Sequence, residues 1–370
     1  MTTFKNIKTL DGQILDLHIP SHSDQNIDAG GELLLIPGLI DPHISLGFLK
    51  NERWQFGVES AIRGGIATVL DIPSKDSSNA SKHGMKHKKD DVDKQLIDLK
   101  MPLHYFPYVK GNSEHIENLG TQKDLTMGSL ILFEREDNPL DDKAWNRIFQ
   151  IAAWEDLPII INSNNENTWK NARFKEPNES LLEKAIYYAE KQNTRLYVLN
   201  ISNKDELKLI QGGKESSLLI YTETTPQHLF PENPSQADFL WEAINKGTIE
   251  SIGSGYHVDE QEQERLIWQG ANFDFLNPIF FLPRLLTAYH EKKVTLENIV
   301  RLTRVNFHDI FRLERGDKNF ILIDLEREES VQRVSKNQSY KMVLKGWPEY
   351  VILGGSVFKS APGSYHLDFF

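Results

Sequence analysis

Residues 33–47 read LLLIPGLIDPHISLG. The apolar run at 33–36 meets Pro37-Gly38, a pair that turns the chain, and a second short run follows. A short apolar run bounded by a turn signal reads as a buried strand. The second run ends in Asp41, His43 and Ser45. Side chains alternate across a strand, so these three share one face. A histidine at the end of a buried strand is where a metal site can begin. Two histidines one residue apart would be a far stronger signal, and here serine holds the second position.

Working outward, the chain alternates. Candidate strands fall at 39–43, 66–71, 103–109, 129–133, 158–162, 195–200, 218–223 and 249–253, eight in all. Helical patterns lie between most of them, at 143–155, 181–192 and 205–211, and continue at 237–246 and 296–307. Eight alternating units predict an α/β fold, a closed (β/α)8 TIM-like barrel over 37–315. Chemistry in that fold sits at the C-terminal ends of the strands. The termini read differently. Residues 7–10 and 14–19 flank Asp11-Gly12, a hairpin signal. Residues 320–325 and 350–353 are strand-like, with Gly354-Gly355 following. Residues 1–36 and 316–370 are therefore expected to pair into one small β-sandwich domain.

The 370 residues suffice for one large core and a small domain beside it. Lys and Arg number 42 against 53 Asp and Glu, a net charge of -11. That balance argues against nucleic acid and anionic membranes as partners. With no cysteine there are no disulfides, thiolate ligands or thiol nucleophile. The first residues lack the apolar core of a signal peptide, and no apolar run approaches the ~20 residues of a membrane helix. A cytoplasmic protein is the expectation.

Residues 75–95, KDSSNASKHGMKHKKDDVDKQ, interrupt the alternation and read as a long charged loop. His83 and His87 stand four apart among Lys82, Lys86, Lys88 and Lys89. A surface metal site or an anion patch is the functional reading, and a solvated loop the plain one. Gly84 weakens any helix that would align the two histidines.

With the barrel ends in view, the chain resembles a dihydroorotase of the cyclic amidohydrolase group over nearly its full length. IDAGGELLLIPGLIDPH (27–43) looks like the entry to the family's first barrel strand, and GGIATVLDIPS (64–74) like its second. LPIIINSNNEN (157–167), RLYVLNISNKDEL (195–207), IYTETTPQHLF (220–230) and GTIESIGSGYHVDEQEQE (247–264) follow in the family's order. So do NFHDIFRL (306–313) and GGSVF (354–358).

The resemblance implies one or two zinc ions that activate water and polarise a cyclic amide. It also implies their ligands: His-x-His on strand one, a carbamylated lysine on strand four, histidines ending strands five and six, and an aspartate ending strand eight. The aspartate doubles as proton shuttle. On this chain those positions fall at His43, Ser45, Ile131, Asn162, Asn200 and Gly255. Only His43 keeps the family's residue. The substrate contacts are replaced as well: Gly47 stands for an arginine, Ser74 for an asparagine, and Asn233-Pro234-Ser235-Gln236 for Asn-Pro-Pro-Leu-Arg.

Zinc in such a site wants about four N or O donors. Asparagine and serine are weak neutral donors, and isoleucine and glycine supply none. Without the metal, water keeps a pKa near ~15.7 rather than ~7. The expectation is thus a vestigial site with no metal and no cofactor. A rebuilt site is the alternative, with His43, Glu223, His228 and His257 converging at the mouth, and zinc only in that case. The plain reading has Glu223 and His228 satisfying loop backbone, His257 exposed to solvent, His43 making a structural hydrogen bond and Asp41 capping backbone.

The leading functional reading is a catalytically inactive dihydroorotase-like protein, a structural or regulatory partner in pyrimidine biosynthesis. The resemblance supplies aspartate transcarbamoylase, or another protein of that pathway, as the partner, and a homodimer as an assembly. An active amidohydrolase hydrolysing a cyclic amide with a rebuilt site is the second reading. A small-molecule sensor that keeps a pocket but not the reaction is the third.

Overall fold

The computed structural model describes residues 1–20, 25–46, 52–72, 82–111, 130–132, 140–162, 181–231, 233–257, 277–313, 318–334 and 339–360. Four strands open the chain: β1 (Thr2–Lys8), β2 (Ile14–Ile19), β3 (Gln25–Asp28) and β4 (Leu33–Pro37). The barrel strands follow: β5 (Leu39–Ser45), β6 (Ile66–Asp71), β7 (His104–Pro107), β8 (Val109–Gly111), β9 (Leu130–Leu132) and β10 (Ile159–Asn162). After them come β11 (Leu196–Leu199), β12 (Ile220–Thr224), β13 (Ser251–Ile252) and β14 (Tyr256–His257). Three strands close the described chain: β15 (Phe320–Val334), β16 (Ser339–Leu353) and β17 (Ser356–Lys359).

The two ends share one seven-stranded sheet, ordered β17-β16-β15-β4-β1-β2 with β3 beside β1. Its inner face buries Phe4, Ile7, Ile19, Leu322, Tyr350 and Ile352 in a core of its own. Pro37-Gly38 is the joint to the barrel. A Cβ on Gly38 would stand 2.7 Å from the Ala67 Cβ and 3.1 Å from that of Asn319, so only glycine lets the strands approach there.

The barrel closes in a ring of parallel strands. Residues 104–111 pair with β6 through their first half and with β9 through their second. Residues 251–257 do the same between β12 and β5. Every residue of β5 and β6 is buried, as unbroken apolar runs require of strands covered on both faces. The lumen is filled from below. Phe307, Ile310 and Phe311, from the short helix Phe307–Phe311, pack under Ile40, Leu70, Ile160 and Leu199. Tyr197 meets Phe311 edge-on at 4.9 Å between ring centroids. These described side chains fill the bottom, and the mouth is the place for a site.

The charged stretch corrects one expectation. Lys82–Asp98 is a helix, not a loop. It buries Val92 and Leu96, pairs Lys89 with Asp93 one turn on, and sends Lys88 to the buried Asp71 carboxylate at 2.8 Å. Asp71 also accepts from Tyr105 Oη at 2.6 Å and from Leu46 N at 2.9 Å. Residues 75–81 and the His83 side chain lie outside the described residues, and His87 is exposed. Among the described residues no helix is long and apolar enough to cross a membrane.

Candidate functional site

β5 delivers Asp41 and His43 to the closing seam of the barrel. Asp41 Oδ1 accepts from His43 N at 3.1 Å and from Ser254 N at 2.9 Å. Gly255 N in turn donates to the His43 carbonyl at 2.9 Å. Asp41 thus caps backbone across the seam, as the sequence led one to expect. Burial pushes its carboxyl pKa up, against the pull of the bonds from Ser254 and His43. Asp41 Oδ2 has no partner among the described residues.

The centre of the mouth is a buried pair, His43 Nδ1 on Glu223 Oε1 at 3.2 Å. Glu223 also accepts from Asn200 N at 2.7 Å and Gly253 N at 3.1 Å. One carboxylate therefore gathers the ends of β5, β11, β12 and β13. Burial opposes charge on the imidazole, but the Glu223 and Asp41 carboxylates outweigh it, so the His43 pKa is raised. His43 Nε2 has no partner among the described residues. Below lie two buried phenols: Tyr108 Oη donates to the Pro42 carbonyl at 2.7 Å, and Tyr197 Oη bonds Ser251 Oγ at 2.8 Å. Burial, then the Glu223 charge, raises both their pKa values well above the ordinary range.

The remaining positions carry little metal chemistry. Asn162 ends β10, Asn200 follows β11, and Asn200 Nδ2 donates to Asn162 Oδ1 at 3.1 Å. That bond uses one Asn200 N–H and one lone pair of the Asn162 oxygen. Asn200 sits at φ 61°, in the left-handed region that asparagine tolerates better than most residues. Gly255 has φ 68°, in the same left-handed region, and supplies no side-chain donor where the resembled family carries an aspartate. Ser45 is buried and in register with His257. Ile131 lies in β9 opposite Ile160, and its side chain is outside the described residues.

His257 corrects the plain reading. It is half-buried, not solvent-exposed, and its ring stands 5.7 Å from that of His43 at 87°. His228, on the short helix Pro226–Leu229, is half-buried too. Burial, then the charge on His43, brings its pKa down to about 4, so it is neutral near pH 7. The structure thus brings His43, Glu223 and His257 together, with His228 within electrostatic reach. The plain sequence reading gave Glu223 only to loop backbone and missed its bond to His43, which the rebuilt-site alternative had grouped with it. It also missed the seam residues Gly253 and Ser254. The pairing spans 180 residues, and no local pattern carries it.

Among the described residues the donors at these positions do not assemble a zinc site. Glu223 already takes two backbone N–H groups and His43, the Asn162 oxygen accepts from Asn200 Nδ2, and serine and glycine stand at two further positions. Among the described residues no three or more His, Asp or Glu side chains are grouped to hold a metal.

No family model matches the chain. A dihydroorotase of Methanosphaera stadtmanae is 25% identical over 364 residues, covering 85% of this chain and 83% of its own length. The L-hydantoinase of Arthrobacter aurescens superposes with a TM-score of 0.73 at 20% identity, over 96% of this chain and 95% of its own. The inactive dihydroorotase-like domain of a Chaetomium thermophilum CAD-like multifunctional protein gives 0.64 at 20% identity, over 88% of this chain and 94% of its own. The fold is that of the TIM-barrel amidohydrolases with their β-sandwich domain. In sequence the chain is similar to dihydroorotases.

Proposed function

We propose that this dihydroorotase-like chain does not hydrolyse cyclic amides and acts as a structural or regulatory partner in pyrimidine biosynthesis. Aspartate transcarbamoylase is the partner we infer, in the cytoplasm. We read the chain as two units, 37–315 as barrel and 1–36 with 316–370 as the small β domain. The observation that carries the loss of hydrolysis is the Asn162–Asn200 amide bond, two strand ends that bind each other. The barrel core around it is intact, which supports continued use of the scaffold. Turnover of dihydroorotate and hydantoin by the purified chain tests inactivity, and none is expected. Co-purification from the native host tests the partner. A transcarbamoylase of full size and activity in cells lacking this chain would remove it.

A second reading rests on His43 Nε2, which has no partner among the described residues, and on the His257 ring beside it. There His43, Glu223, His228 and His257 would form a rebuilt hydrolytic site. It predicts measurable turnover that His43→Gln abolishes.

A further inference from the structure

Where the terminal sheet meets the barrel's outer helices there is a cavity of about 670 Å³. About half of its lining is apolar, from Leu10, Leu34, Leu296, Leu325 and the ring of Tyr289. Leu34 is buried, whereas the other four are only half-buried, at the fringe of the main core. The opening is acidic, with Glu32, Glu297, Asp324 and Glu326 against a single cation, Lys8. Glu326 is paired with Lys345 at 2.7 Å. Asp324 accepts from the backbone N–H groups of Glu326 and Arg327 at 3.0 Å and has no ion-pair partner among the described residues. Glu32 and Glu297 are exposed and have no ion-pair partner among the described residues.

We propose that this groove is a docking site for a segment of a partner protein that presents an apolar side chain flanked by lysine or arginine. The apolar walls would take the hydrocarbon, and the free carboxylates on either side would take the cations. Long basic side chains suit such a place, because their stems lie along apolar surface while their heads reach the rim. The net charge of -11 favours approach of a basic segment over an acidic one. The groove is built from β1, β4, β15 and the helices Phe281–His290 and Leu296–Val300, none of which contributes to the barrel mouth. The proposal therefore stands or falls apart from the question of hydrolysis.

The test is fluorescence anisotropy of the full chain with a labelled nine-residue peptide of alternating lysine and leucine. The same peptide with glutamate for lysine is the control probe. Binding of the basic peptide alone is expected, weakening as salt rises from 50 to about 500 mM because the rim carboxylates are exposed. Glu32→Gln with Glu297→Gln should weaken it at least tenfold. Glu190→Gln with Glu215→Gln, the same charge change on exposed barrel-helix positions, should weaken it less than twofold. All four are exposed surface positions, so an unchanged Tm shows that each variant is folded. No binding of the basic peptide, or equal loss in the two double variants, overturns the proposal.

Discussion

Replacing Glu223 by leucine isolates the tie at the centre of the mouth. The substitution keeps a side chain of similar size in a fully buried place, so packing changes little and the polar loss dominates. Three donors lose their acceptor: Asn200 N, Gly253 N and His43 Nδ1. A buried donor left unpaired costs ~1–3 kcal/mol, and breaking one side of a buried ion pair ~3–5 kcal/mol. These overlap, because His43 can lose its proton, so the total expected is ~3–6 kcal/mol. For 370 residues unfolding together, ~2.1 cal/mol/K per residue gives ~0.8 kcal/mol/K, and Tm should fall by ~4–8 °C. Thermal unfolding by calorimetry and urea denaturation both read this. The double variant with His43→Leu completes a cycle, in which a coupling of ~1 kcal/mol or more is expected for two groups in contact. A Glu223→Leu cost below ~1 kcal/mol, or zero coupling, would refute the reasoning.

Three other outcomes follow from the same geometry. His228 has a pKa of about 4 in the fold against an ordinary 6.5, so between those values the unfolded chain binds a proton that the folded chain refuses. Stability should therefore be held above pH 6.5 and fall as pH drops towards 4, and His228→Gln should flatten that limb in urea titrations at stepped pH. Asn200→Val places a β-branched residue at φ 61° and should cost ~1–3 kcal/mol, whereas Asn200→Gly should cost less; chemical denaturation separates the two. Lys88→Met removes a charged hydrogen bond from buried Asp71 and should cost ~1.5–3 kcal/mol, with faster hydrogen exchange in Lys82–Asp98.

The barrel was legible because its signal is local. Each of the eight strands is an apolar run of a few residues, and each run reappears in the structure within one or two residues at most ends. The helix Lys82–Asp98 was not legible, because it buries only a few apolar side chains and holds itself by Lys88 on Asp71, a contact between distant segments. At the mouth, a hydrogen bond for His43 and the capping by Asp41 could be read from one strand end. The partner of His43 was legible only as one of a group, His43, Glu223, His228 and His257, that strand order puts at the mouth. Glu223 comes from β12, and only the closing of the barrel brings it across. The half-burial of His257 has the same cause, since β14 pairs with β5 at the seam. Sequence patterns specify which faces are buried; the closure of the ring decides which polar groups meet.

The central claim is that the strand ends satisfy one another and leave too few donors for a catalytic cation. Metal content per chain, by mass spectrometry of elements in protein prepared without chelator and dialysed against metal-free buffer, tests it most directly. The account predicts far less than one zinc, manganese or iron per chain. A stoichiometric ion that survives dialysis and is lost in His43→Gln would contradict it.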